Sequence, residues 1–178
     1  SNVGTITGTA NGVAGCNDTT HGYRVAGWTG GGTGFDIIER FAFAASGNAS
    51  DVGDLLNTNW AYVGHSSTTH GYASGGYTGG SPVTVNVIQK VAFGSSGNAT
   101  DVGDMSIGRD SWSGHSSATY GYACGGYNWT APTYGRNTID RWSYASTGNA
   151  VDVGDTPATT NQNSGCQSAS TGYIVGGY

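Results

Sequence analysis

The octapeptide GNASDVGD at 47–54 returns as GNATDVGD at 97–104 and as GNAVDVGD at 148–155. One catalytic site needs its residues once, so a segment that recurs at regular spacing belongs to a building unit. A second motif keeps the same period. THGYRVAGW (20–28), THGYASGGY (69–77), TYGYACGGY (119–127) and STGYIVGGY (170–178) put Gly22, Gly71, Gly121 and Gly172 about 50 residues apart. AGCNDT, VGHSST, SGHSSA or SGCQSA precedes each, and IIERFAF (37–43), VIQKVAF (87–93) and TIDRWSY (138–144) follow the first three. Sub-motifs in fixed order make residues 1–178 a single repeat domain, with units of approximately 3–51, 52–101 and 102–152 and a half unit at 153–178.

Each unit predicts four short strands. The chain has two Leu and one Lys, while Val, Ile, Thr, Tyr and Trp supply its bulk, and these side chains suit a pleated surface. Strand A is the Gly-His/Cys segment (61–67 in the second unit), and strand B is the Gly-Tyr…Gly-Gly segment (71–77). Strand C is 87–93, and strand D lies near 100–102. Glycine-rich tips such as TGGGTG (29–34) join B to C, where a hairpin needs positive φ. In strand C, Glu39, Phe41 and Phe43 alternate with Ile38, Arg40 and Ala42. Four-stranded units of about 50 residues have the period of propeller blades. The expected fold is all-β: a β-propeller-like array of three full blades and a half.

GYASGGY followed by VIQKVAF resembles a kelch repeat, in which a double glycine ends the second strand and an aromatic lies in the third. The tryptophan of the kelch fourth strand is replaced by the region of Ser50, Thr100 or Val151, so the resemblance implies fold and not partners. SSTTHGYASGG…NATDVGD is also similar to repeat arrays in structural and fibre proteins of marine bacterial viruses, which implies a role in a virion.

Composition excludes several classes. Six basic residues against eleven acidic ones, net −5, leave no cluster to neutralise phosphates or anionic lipid. No apolar run is long enough to cross a bilayer. Charged residues make up only 10% of the chain, which suits an extracellular or virion-surface protein. A chain without an initial Met is expected to be a processed or truncated product. No nucleophile elbow, phosphate loop or dinucleotide fingerprint occurs, and the adjacent His and Ser of GHSS would point to opposite faces of a strand. The expectation is a non-enzymatic module without a cofactor.

Several residue sets are candidates for something more. Arg40, Lys90 and Arg141 share one strand C position, and Asp51, Asp54, Asp101, Asp104, Asp152 and Asp155 fill the two acidic positions of DVGD. They are expected to pair as structural charges across the C–D hairpin, with a calcium site as the rival reading. Cys16, His65, His115 and Cys166 share one register of strand A. Facing a central channel they would make a tetrahedral zinc set, though their spacing is unlike compact zinc motifs. In a closed ring, or between chains, Cys16 and Cys166 would instead be neighbours able to form a disulfide. Cys124 stands in strand B where Val25, Ser74 and Ile174 stand, and is expected to be buried.

Trp28, Tyr77, Tyr127 and Tyr178 share a position expected to pack blade on blade. Trp129 and Tyr134 are unique to the third unit and are the ligand-binding candidates of a lectin-like alternative, stacking on surface glycans. Sequons at Asn17, Asn48, Asn98 and Asn128 are possible N-glycosylation sites. An exposed half-blade edge implies assembly with copies of the same chain, as a ring or a filament, unless residues 3–8 close a small ring.

Overall fold

The computed structural model describes residues 4–81, 83–110, 112–129, 132, 134–160 and 162–177, and every side chain among them except that of Thr33. Val3 and Tyr178 lie outside this set. The described residues contain no helix. The first sheet joins β1 (Ala14–Asn17), β2 (His21–Thr29), β3 (Thr33–Ala42) and β4 (Ser50–Asp54) in chain order. The second joins β5 (Val63–Ser66), β6 (His70–Ser74), β7 (Val87–Ala92) and β8 (Thr100–Asp104). The third joins β9 (Ser113–Ser116), β10 (Tyr120–Cys124), β11 (Arg136–Ser143) and β12 (Val151–Thr160). A hairpin of β13 (Ser164–Gln167) and β14 (Gly172–Val175) ends the described chain. All pairings are antiparallel. The unit boundaries at 51, 101 and 152 fall inside the fourth strands, which run on through the DVGD aspartates.

The first hairpin of each unit is closed by one side-chain oxygen. Asp18 Oδ1 accepts the N–H groups of Thr20 and His21, and Ser67 Oγ accepts those of Thr69 and His70. Ser117 and Ser168 repeat the device. Short polar side chains that bond the backbone two or three residues on are turn formers by that mechanism.

The repeated octapeptide is a two-ended connector. Its first half reaches back: Gly97 N–H and Ala99 N–H donate to the Val52 and Asp54 carbonyls at 2.7 and 2.8 Å. Gly148 and Ala150 do the same to Val102 and Asp104, and Ala49 donates to Thr5. Asn98 Oδ1 accepts from Asp54 N–H, Asn149 Oδ1 from Asp104 N–H, and Asn48 Oδ1 from Thr5 N–H, at 3.1–3.2 Å. The second half, DVGD, receives the next unit's copy of the first. Gly103 sits at φ +143°, and a Cβ there would overlap the Gly148 carbonyl oxygen, so only glycine fits. Residues 4–5 occupy for the first sheet the place that 53–54 and 103–104 occupy for its successors.

Successive sheets pack face against face. One apolar cluster joins Cys16, Tyr23, Ile38 and Val52 to Tyr62, Ala73, Val91 and Ala99, and a second joins Tyr72, Ile88 and Val102 to Trp112, Ala123 and Trp142. Val52 is therefore 5% exposed, whereas its counterpart Val153, with no next unit upon it, is 44% exposed. The sheets do not close into a ring.

Candidate functional site

The strand A register predicted for Cys16, His65, His115 and Cys166 is present: each faces the repeated tyrosine, Tyr23, Tyr72, Tyr122 or Tyr173, across the first hairpin. They do not converge on an axis. Strand alternation turns each side chain toward the following unit. Cys16 Sγ lies against Gly71, the His65 ring against Gly114, and the His115 ring against Gly165 and Gly172. No group of three or more metal-ligating side chains forms among the described residues, so neither the zinc set nor a calcium site on the DVGD aspartates is assembled. All three cysteines are free thiols, Cys16 and Cys124 buried and Cys166 exposed. The Cys16–Cys166 disulfide is absent from the chain. A joint between copies built like those within it would not make one either, because Cys166 would meet the glycine face of β1 while Cys16 points out of the other.

His65 is the most perturbed of this set. It is 2% exposed, with its ring edge-on to Trp142 at 4.6 Å. Nδ1–H donates to the His115 carbonyl at 3.3 Å, which leaves Nε2 to accept the Ser74 hydroxyl proton at 2.9 Å. Burial pushes the imidazole down to about 3. His115 is lowered by the same cause. The His65–Ser74 pair joins residues nine apart across the first hairpin, and the sequence shows only the adjacent serine of GHSS. Both members are sealed from solvent, so the pair is a packing device and reaches no substrate. Cys124 is buried as expected, its thiol raised to about 11 by burial. Its counterpart in the hairpin is Val175 and not Ile174, as the pairings Ser113–Cys124 and Ser164–Val175 establish.

The repeated charges do not pair as expected. Bulges between Ile38 and Glu39, and between Ile88 and Gln89, shift the C–D register. Arg40 and Lys90 then face Ser50 and Thr100, and Arg141 faces Val151. Asp51, Asp101 and Asp152 instead accept the N–H of Gly53, Gly103 and Gly154 in their own strands, stabilising the bulge. Arg141 lies over the Tyr120 ring at 4.6 Å. Buried ion pairs occur one position away, Arg24 with Glu39 and Arg109 with Asp140 at 2.9 Å. Glu39, Gln89 and Asp140 share one buried position and each accepts a backbone N–H from the incoming linker: Thr7, Leu56 and Ser106. The alternation Ile-Glu-Arg, Ile-Gln-Lys, Ile-Asp-Arg carried that signal, overshadowed by the cation beside it.

Asn128 is buried, and its carboxamide nitrogen donates to the Gly108 carbonyl, so it cannot carry a glycan in this fold. Asn17, Asn48 and Asn98 are exposed. The turn asparagine is also present as Asn149, which heads no sequon, so the backbone clip accounts for its repetition.

At the B–C tips the structure assembles a larger site than the sequence indicated. Trp28, Trp60, Tyr77, Trp129, Tyr127 and Tyr134 form an unbroken run of ring contacts across three units. Centroid separations are 5.6, 5.1, 5.5, 4.9 and 5.6 Å in that order. The bridges Asn11–Trp28, Trp60–Tyr77 and Asp110–Tyr127 hold the tips. Trp129 is 50% exposed with its Nε1–H donating to Asp110 Oδ2 at 2.9 Å, and Tyr134 is 41% exposed. Trp60 lies in a linker at the register of Asn11 and Asp110, so nothing in the repeat marked it. The run presents exposed ring faces at Trp129 and Tyr134, a surface able to stack on planar or sugar groups, while the buried Asp110 carboxylate holds the Trp129 indole.

No protein-family model matches this chain, and no curated protein sequence does.

Proposed function

We propose that this is a non-enzymatic structural module that assembles with copies of itself, a kelch-like propeller arc within a virion fibre or an extracellular filament. The observation that carries this reading is that one joint is built repeatedly, while its two halves lie exposed at the ends. Tyr23 packs against Phe93 at 4.8 Å with the rings tilted, and Tyr72 stacks on Tyr144 at 4.6 Å. At the leading end Phe43, the counterpart of Phe93 and Tyr144, is 55% exposed, and at the trailing end Tyr173 is 54% exposed against 2% for Tyr23 and Tyr72. Exposed complementary faces on one chain make heterologous contacts, which give rings or filaments. Adjacent first strands and the double glycine after strand B favour the propeller arrangement. Negative-stain imaging tests the reading: rings or filaments support it, and isolated single particles at every concentration contradict it.

A lectin-like reading is favoured by the aromatic run at the B–C tips. A glycan array, followed by quenching of tryptophan fluorescence in wild type and in Trp129→Ala, tests it. Saturable quenching lost in the variant supports sugar binding, and a silent array ends it.

A further inference from the structure

We propose that the B–C tips of the second and third units form a site for a neutral acetamido sugar. The sugar's ring face lies on Trp129 and its acetamido group enters the cleft beside it. This rests on the lectin-like reading and names the sugar class. The tips are where the repeat stops repeating. Residues paired across them stand 6, 7 and 8 apart in successive units, as Trp28–Gly34, Tyr77–Thr84 and Tyr127–Gly135. Insertions that differ from unit to unit map to one face of a repeat array, often the binding face.

The cleft holds about 680 Å³ between the second unit's tip and the linker at 106–108, with Asn128 reaching it from the third unit. Small-molecule sites usually measure roughly 300–1,000 Å³. Val83, Val85, Val87 and Ile107 give it a partly exposed apolar wall. Among the described residues no charged side chain lines it, so a carboxylated or sulfated sugar would find no counter-charge there. Thr84, only 8% exposed, accepts from Asn128 Nδ2 at 3.4 Å, which leaves its hydroxyl proton to donate. Asn86 Nδ2 donates to the Met105 carbonyl at 3.4 Å, which leaves Oδ1 to accept. An acetamido group carries a carbonyl acceptor, an N–H donor and a methyl, one for each of these features. A hydroxyl in its place brings no methyl to the apolar wall. The stacking face adjoins the cleft. Tyr77, bridged to Thr84, has its ring 5.5 Å from that of Trp129, which follows Asn128 in the chain. The hydrogen bond to buried Asp110 fixes the half-exposed indole before any ligand arrives.

The test is calorimetric titration of the full chain with triacetylchitotriose and with cellotriose, which differ only in acetamido against hydroxyl at C2. Saturable binding of the first is expected, with the second weaker by at least about tenfold, the worth of one hydrogen bond. Trp129→Ala should weaken every sugar that binds. Thr84→Val should weaken the acetamido sugar alone, again about tenfold. Ile107→Asn, on the partly exposed apolar wall, should act likewise, so that misfolding of one cleft variant does not decide the result. Equal binding of the two sugars, or a preference indifferent to both cleft variants, overturns this inference and leaves the lectin-like reading standing. Binding of neither trisaccharide also overturns it, and a silent glycan array then removes the lectin-like reading as well.

Discussion

Lowering the pH should loosen the joint between the second and third sheets through His65. Its folded-state pKa, about 3, lies below the 6.5 of an ordinary imidazole. The unfolded chain therefore binds the proton first, so stability is complete above about pH 6.5 and falls as pH drops toward 3. Each pH unit in that window costs about 1.4 kcal/mol for one such group, so His65 alone removes about 2 kcal/mol between pH 7 and pH 5. His115, shifted in the same direction, steepens the fall. A loss of this size is a large part of the roughly 5–15 kcal/mol that holds a typical domain together. The assay is urea unfolding of wild type and His65→Cys at several pH values from 7.5 to 5, the variant carrying the residue that the first unit uses at this position. The variant starts less stable, yet its stability should vary less with pH by about 2 kcal/mol over the range. Parallel pH profiles for the two proteins would refute the assignment of a neutral, sealed imidazole to His65.

Gly103→Ala should lower stability by several kcal/mol and Gly154→Ala by roughly 1–3, since both share the strained φ but only Gly103 has the Gly148 carbonyl against it; melting temperatures of the pair compare them. Arg109→Met should destabilise by about 3–5 kcal/mol by stranding the buried Asp140, and adding Asp140→Leu should restore most of the loss in chemical denaturation. Cys166 should react with a thiol reagent within the dead time of mixing, while Cys16 and Cys124 wait for unfolding, Cys16 being raised to about 12 by burial and by nearby Asp18. A non-reducing gel should show no Cys16–Cys166 crosslink.

Strand order and the all-β class were legible in the sequence because the repeat displays the same alternation three times over. The Gly-Tyr…Gly-Gly motif located the start of strand B within a residue, although β6 ends at Ser74, three residues before the expected 77, and DVGD marked strand D. What escaped depended on the neighbouring unit. Period-2 alternation separates the faces of β5 but does not say that one face meets Gly114 and Trp142 of the next sheet, so His65 and His115 read as channel-lining side chains. The Arg40–Asp51 pairing failed because a bulge at Ile38/Glu39 shifts the ladder by one residue, and no residue-level pattern announces a bulge that a glycine inside a strand merely permits. The aromatic tip was half legible. Trp129 and Tyr134 stood out as unique to one unit, whereas Trp60 lies at a position shared with Asn11 and Asp110 and joined the site only through tertiary placement.

Sedimentation velocity over a broad concentration series tests most directly the claim that the two ends are halves of one joint. The account predicts species at multiples of the 18.0 kDa chain that grow with concentration, and a return to a single chain in Phe43→Glu or Tyr173→Asp. An 18 kDa monomer at every concentration, or assembly indifferent to both substitutions, would contradict it.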